Sequence, residues 1–283
     1  MREVIAAMFM KTALVLLLAL VGYSSAAPMT TERIMELVDF VNTVPLAKLK
    51  ASQFNTSYIT DRNTIDNQKQ GFVDSGSLVS FTDKVTGQQK DDVLNAALFG
   101  QLAAEYQYNR ETQTVEWYNL YSDVMEKIGW VMQDFEFQHY QVGGGKFSMD
   151  KVVIDILSAI ATGNEIAVAQ EVLAALKNLA DDDGRIVLFE HHSYNNQAGN
   201  FQIIPCSQDS SGQVVMALAG FHFQAKKSTT KFLFFEWDSD SIDIYKSVQV
   251  VTLDQDVYTV VRDSIVGRLG DQAKTLVDNI PIA

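Results

Sequence analysis

The chain has 283 residues and a formal charge of −13, with 35 acidic residues against 22 lysines and arginines. A hydrophobic share of 47% excludes a disordered chain, and the acidic balance excludes nucleic acid as a main partner, because phosphate binding needs clustered Lys and Arg. One cysteine excludes an intramolecular disulfide and a cysteine-based zinc site.

Arg2 and Lys11 lead into an apolar run, Thr12 to Val21, and then into the small residues Ser24-Ser25-Ala26-Ala27. That is the pattern of a secretory signal peptide over residues 1–27, and the run is shorter than the roughly 20 residues of a membrane anchor. Met8 or Met10 serves equally well as a start. The expected localisation is secreted. Cleavage removes Arg2, Lys11 and Glu3 and leaves the mature chain one unit more negative. A remainder of about 256 residues is long enough to build a core without a disulfide. Asn55-Thr56-Ser57 is a glycosylation acceptor in a eukaryotic host.

Residues 28–78 read as an N-terminal helix followed by a polar arm. The helix (29–47) carries Ile34, Leu37, Val38 and Val41 and stops at Pro45; residues 48–78 are rich in Asn, Gln, Ser and Thr. Residues 79–283 read as one α+β domain. Val79 to Phe81 forms a short strand. Val93, Leu94, Ala97, Leu98 and Leu102 make the stripe of a helix opened by Asp91 and Asp92. A short extended piece (Thr112 to Glu116) precedes a second helix through Trp117, Tyr121, Val124, Met125 and Ile128, ended by Gly129. Trp130 to Val142 has the texture of a strand.

Ser148 is placed to cap a helix through Ala161, and Asn164 to cap another through Leu179 after Gly163, so the two form a helical hairpin. From Arg185 the pattern changes to strands: Ile186 to Tyr194, Asn200 to Cys206, Gln213 to Gln224, Lys231 to Trp237 and Ser241 to Leu253. Short connections make consecutive strands antiparallel. Val257, Val260, Val261, Ile265 and Leu269 form a closing helix, and residues 271–280 add a turn or two. The expected architecture is a mostly antiparallel sheet flanked by helical layers on both faces.

Few constellations point to chemistry. Gly143-Gly144-Gly145-Lys146 lies between a strand and a helix but lacks the first glycine and the Ser or Thr of a phosphate loop, with Tyr140 and Phe147 in those places. His191 and His192, read on a strand, point to opposite faces, and His222 with Glu190 or Glu236 adds no metal spacing. Asp181-Asp182-Asp183-Gly184 lacks the alternation of a calcium loop, and three acids after a helix oppose its dipole. Cys206 as a nucleophile would need a histidine as its base. Glu236, Asp238 and Asp240 have no defined separation that would mark a glycosidase pair. The reading is of a non-enzyme with no cofactor and no metal.

The order of elements resembles the cytolytic δ-endotoxin (Cyt) family and its fungal pore-forming relatives. The parallel runs over Asp91–Asn109, Thr112–Glu116, Trp117–Ile128, Trp130–Val142, Ser148–Ala180, Arg185–Leu253 and Asp256–Leu269. Its texture is carried by Phe201-Gln202-Ile203, by Val214 to Phe221, by Lys231 to Phe235 and by Ile242–Leu253. The resemblance covers residues 90–270 and implies a secreted cytolysin whose helices move aside so that apolar surface meets lipid. A fainter resemblance, through the lone Cys206, is to the palmitoylated Erwinia virulence factor; it implies a lipidated cysteine.

The expected function is a secreted membrane-active protein, a pore-forming toxin or virulence or defence factor, that re-packs helices and strands into lipid. The alternative is a secreted lipid- or protein-binding virulence factor, acylated at Cys206, without pore formation. Candidate membrane-contact residues are Val153, Ile156, Leu157, Ile160, Val172, Leu173, Leu176, Phe232 and Phe234. The acidic balance points to neutral membrane lipid or a surface receptor as partner, with a homo-oligomer forming on the membrane.

Overall fold

The computed structural model describes residues 29–48, 63–195 and 197–282. Residues 1–27, expected to be a signal peptide, and the Asn55 triplet lie outside the described residues. The chain falls into two units, Met1–Glu36 and Leu37–Ala283. In the first, the described residues open helix α1 (Thr31–Thr43), whose Arg33 pairs with Glu36 at 3.2 Å on an exposed turn.

The second unit is an α+β domain around one mixed sheet. Its strands are β1 (Gln70–Asp74), β2 (Ser77–Phe81), β3 (Trp130–Val131), β4 (Gln138–Tyr140), β6 (Tyr194–Asn195), β7 (Ala198–Gln208), β8 (Val214–Ala225), β10 (Ile242–Leu253) and β11 (Val277–Ile280). The main path runs β11-β1-β2-β7-β8-β10-β3, with β4 also on β10 and β6 on β7. All pairings are antiparallel except β2 with β7, where Ser77 lies opposite Gln202. A separate two-stranded ribbon pairs β5 (Lys146–Ser148) with β9 (Glu236–Asp238).

Residues 70–78 are not a polar arm. They form the β1–β2 hairpin, and both strands are buried along their whole length, Gln70, Asp74, Ser77 and Ser80 included. Gln70 and Ser77 can lie there because they are bonded inside: Gln70 Nε2 donates to the Asn63 carbonyl at 2.7 Å, and the Ser77 hydroxyl donates to Gln202 Oε1 at 2.8 Å.

Helices cover both faces. On one lie α2 (Gly87–Gln107) and α3 (Thr114–Lys127), with α7 (Gln255–Leu269) and α8 (Gln272–Leu276) packed against α2. The Tyr118 ring of α3 fits over Gly220 of β8, where a Cβ would stand 3.2 Å from the ring. Arg262 of α7 grips the fully buried Asp92 carboxylate of α2 with Nε at 2.7 Å and Nη2 at 2.8 Å. On the other face lie α4 (Met149–Leu157), α5 (Gly163–Asn178) and α6 (Gly184–Ser193). Gly71 of β1 is the point of closest approach there, since any Cβ would overlap the Val172 side chain of α5.

Five expected elements differ. Ile186–Tyr194 is helix α6 rather than a strand, because Asp183 caps it by accepting the Arg185 N–H. Thr112–Glu116 is not extended, since α3 already begins at Thr114. Trp130–Val142 holds only the short β3 and β4. Lys231–Trp237 is a tight turn leading into β9, with Lys231 in the left-handed region at φ 49°. Residues 277–280, read as helical, form the strand β11.

Candidate functional site

The site is the α4–α5 hairpin together with the 226–235 segment that meets it. Helix α4 begins after Ser148, whose side chain makes no capping bond, and Asp150 N–H donates to the Leu233 carbonyl at 2.9 Å. Helix α5 has a full capping box. Thr162 Oγ1 accepts the Glu165 N–H, and Glu165 Oε2 accepts the Thr162 N–H at 2.7 Å. The cap is therefore Thr162, two residues before the expected Asn164.

Seven of the nine candidate membrane-contact residues point into the protein: Val153, Ile156, Leu157, Val172, Leu173, Leu176 and Phe232 are buried. Ile160 and Phe234 are half-buried. The inner face of the hairpin is thus apolar, and its polar ties sit around the margin. Glu165 Oε1 accepts Ser207 Oγ at 2.8 Å, Lys69 pairs with Glu171 at 2.6 Å, and Tyr140 donates to Asp155 at 2.6 Å. That last bond holds the Tyr140 hydroxyl protonated, raising its pKa to about 12. A groove between α4 and α5 is lined by Ile154, Leu173 and Ala174 with Asp150, Lys151, Asp155, Gln170 and Lys177 as its polar residues.

Beneath the hairpin, Phe232 packs among Phe189, Phe201, Phe223 and Tyr194, with ring centroids 5.1–5.7 Å away. Two residues that sequence reasoning assigned elsewhere hold this turn. Glu190 accepts the Phe232 N–H at 3.0 Å, and burial raises its pKa. Lys231 donates to the Leu179 carbonyl at 2.6 Å and pairs with Asp181 at 2.7 Å. The acidic run 181–183 is explained as well: Asp181 meets Lys231, and Asp183 stands at the N-terminus of α6, where a carboxylate is favourable. No local motif announces these contacts, because each joins residues distant in sequence.

Cys206 lies fully buried on β7. Burial pushes its thiol well above the usual range, and Glu165 adds to the rise; no histidine is among the groups acting on it. It has neither the exposure nor the base of a nucleophile. The His191 and His192 rings stand 5.0 Å apart on α6, whereas His222 stacks on Tyr245 of β10 at 4.9 Å. Among the described residues no three His, Cys, Asp or Glu side chains stand together to hold a metal ion. Lys146 pairs with Glu236 across the exposed β5–β9 ribbon, and a Cβ built at Gly143, Gly144 or Gly145 would meet only open space.

Arg110, between α2 and α3, was absent from the expected site residues. Its guanidinium is buried, lies 4.3 Å over the Trp117 ring and donates through Nη1 to Gln101 Oε1 at 3.2 Å and to the His192 carbonyl at 3.0 Å. A cation at the C-terminal end of α6 suits the helix dipole. Burial, then His191 and Arg110, push His192 down to about 3.

No protein family matches the sequence, and no curated protein does. Among solved structures, the chain is similar to that of the Evf virulence factor. The identity is 11%, the match covers 80% of this chain and 86% of that one, and the TM-score is 0.31. A likeness of that size carries no argument about function. It is to a virulence factor, and no comparison supports the δ-endotoxin resemblance.

Proposed function

We propose that the protein is a secreted, membrane-active virulence or defence factor that works without catalysis, by moving the α4–α5 hairpin from the sheet to a lipid surface. The observation that supports this reading is the hairpin's division into a buried apolar inner face and a rim of polar ties. Exposing the hairpin's six large buried apolar candidates to water would cost on the order of 9–18 kcal/mol, so the hairpin stays docked in solution. Lipid is the environment that removes this cost. Helix α5 has 16 residues, about 24 Å of helix against a hydrocarbon layer of about 30 Å. Among the described residues no helix is long and apolar enough to cross a membrane. The reading therefore has the hairpin lying in the interface, and leakage arises from the strain of that insertion.

A tether tests it. A Cβ at Gly71 would stand 3.3 Å from Val172 Cβ, near the range a disulfide spans. The Gly71→Cys/Val172→Cys pair, in a Cys206→Ala background, is expected to release dye from vesicles when reduced and to lose that release when oxidised. Equal release in both states, or none in either, overturns the proposal.

A further inference from the structure

His192, in the last turn of α6, stands at a junction with little spare room. Arg110 Nη1 donates to its carbonyl at 3.0 Å, and a Cβ on Gly76, in the β1–β2 turn, would overlap both that guanidinium and the carbonyl oxygen. The His191 ring lies 5.0 Å from the His192 ring. A proton on His192 therefore adds a second positive charge beside a buried guanidinium that tight packing keeps in place. The same turn of α6 reaches the hairpin. Glu190 accepts the Phe232 N–H at 3.0 Å, and the Phe189 ring stacks on that of Phe232 at 5.7 Å. The next residue, Leu233, accepts the Asp150 N–H at 2.9 Å in the first turn of α4.

We infer that the last turn of α6 is an acid-operated latch on the α4–α5 hairpin. It is shut at neutral pH, and a proton on His192 frees α6 from Arg110 and, through Phe189, Glu190 and Phe232, loosens the first turn of α4. The other titratable groups around this turn are Lys231 and Asp181 on the hairpin side and Glu105, which acts on Arg110. The neighbouring strands β6, β1 and β7 bring Tyr194, Asp74 and Cys206, and β2 brings none. Shut, His192 holds a proton only below about 3, against 6.5 once exposed. Opening therefore takes up a proton between those values, and a fall from about pH 7.5 to about pH 5 raises the opened fraction about 30-fold through His192 alone. Glu190 works in the opposite sense, because burial raises its pKa and its proton favours the shut form. The displacement at His192 is the larger of the two and sets the direction. The inference deepens the membrane reading by supplying its trigger, and rests on that reading only for what the released hairpin meets.

Native-state hydrogen exchange of the full chain, with no lipid present, tests the latch separately from membrane action. Between about pH 7.5 and about pH 5, and after correction for intrinsic exchange, the amides of α5 are expected to lose about 30-fold in protection. At the lower pH they are expected to exchange ahead of those of α2, which marks a local opening rather than unfolding of the whole chain. His192→Gln is expected to lose this acid response, and His192→Phe, which keeps a ring of similar bulk, serves as a second neutral variant. Glu190→Gln is expected to retain the response, and so is His139→Gln, on β4. An acid response that persists in both His192 variants, no response in wild type, or α5 and α2 exchanging together overturns the inference. Acid opening without dye release from vesicles at the same pH supports the latch and removes the membrane reading alone.

Discussion

Gln249 completes the edge of the sheet by pairing its side-chain amide with the backbone of Gln133. Gln133 N–H donates to Gln249 Oε1 at 2.7 Å, and Gln249 Nε2 donates to the Gln133 carbonyl at 3.0 Å. The two bonds stand in for ladder bonds where β10 lies between its short partners β3 and β4. A side chain thus holds a bulged segment in register without a continuous strand.

Replacing Gln249 by Leu removes both bonds and is expected to cost about 1–3 kcal/mol in urea unfolding. Gln249→Glu keeps the acceptor and loses the donor, and should fall between leucine and wild type. A leucine variant as stable as wild type would show that the β3 and β4 pairings hold the segment alone.

Acid should loosen the contact between α6 and Arg110. The folded-state pKa of His192, about 3, is below the ordinary value of 6.5. The unfolded chain therefore binds the extra proton between these values, and stability falls as pH drops from 6.5 towards 3. Within that window the loss approaches about 1.4 kcal/mol per pH unit. His192→Gln is expected to flatten this part of the stability profile measured by denaturant midpoints. An unchanged slope would place the acid sensitivity elsewhere.

The Cys206 thiol should resist alkylation in the folded protein and react fully in denaturant, because it is buried and its pKa is raised. Native mass spectrometry of the protein purified from its source is expected to show no mass added at Cys206. A lipid-sized addition at Cys206 would mean that acylation precedes closure of β7 against β2.

The α4–α5 hairpin was legible because each helix carries its own apolar stripe and a break lies between them. Its cap was misplaced because the Gly163-Asn164 pair hides the stronger pattern, Thr162 followed three residues later by Glu165. Helix α6 was read as a strand because Ile186-Val187-Leu188-Phe189 is a continuous apolar run, which periodicity cannot assign. The β1–β2 hairpin was missed for the opposite reason. Its Gln70 and Ser77 look exposed in sequence, yet they lie buried where Lys90 donates to Gln70 and Ser77 donates to Gln202. The Cys206 and phenylalanine candidates were visible as residue types, whereas the clasp of Glu190 and Lys231 on one turn is a product of tertiary folding.

The parallel pairing of β2 with β7, the one such pairing among the described residues, has a kinetic consequence. Ser77 meets Gln202 across 125 residues of chain, and on the far side of the same hairpin Gly71 meets Ile280 across roughly 200. This flank of the sheet cannot assemble locally, and loop-closure entropy must be spent before its contacts form. The β7–β8–β10 meander can form early, while β1, β2 and β11 must wait for one another. A slow-closing flank of this kind keeps the chain open longest where α5 later settles on Gly71, so that the apolar face of α5 is among the last parts of the core to leave water.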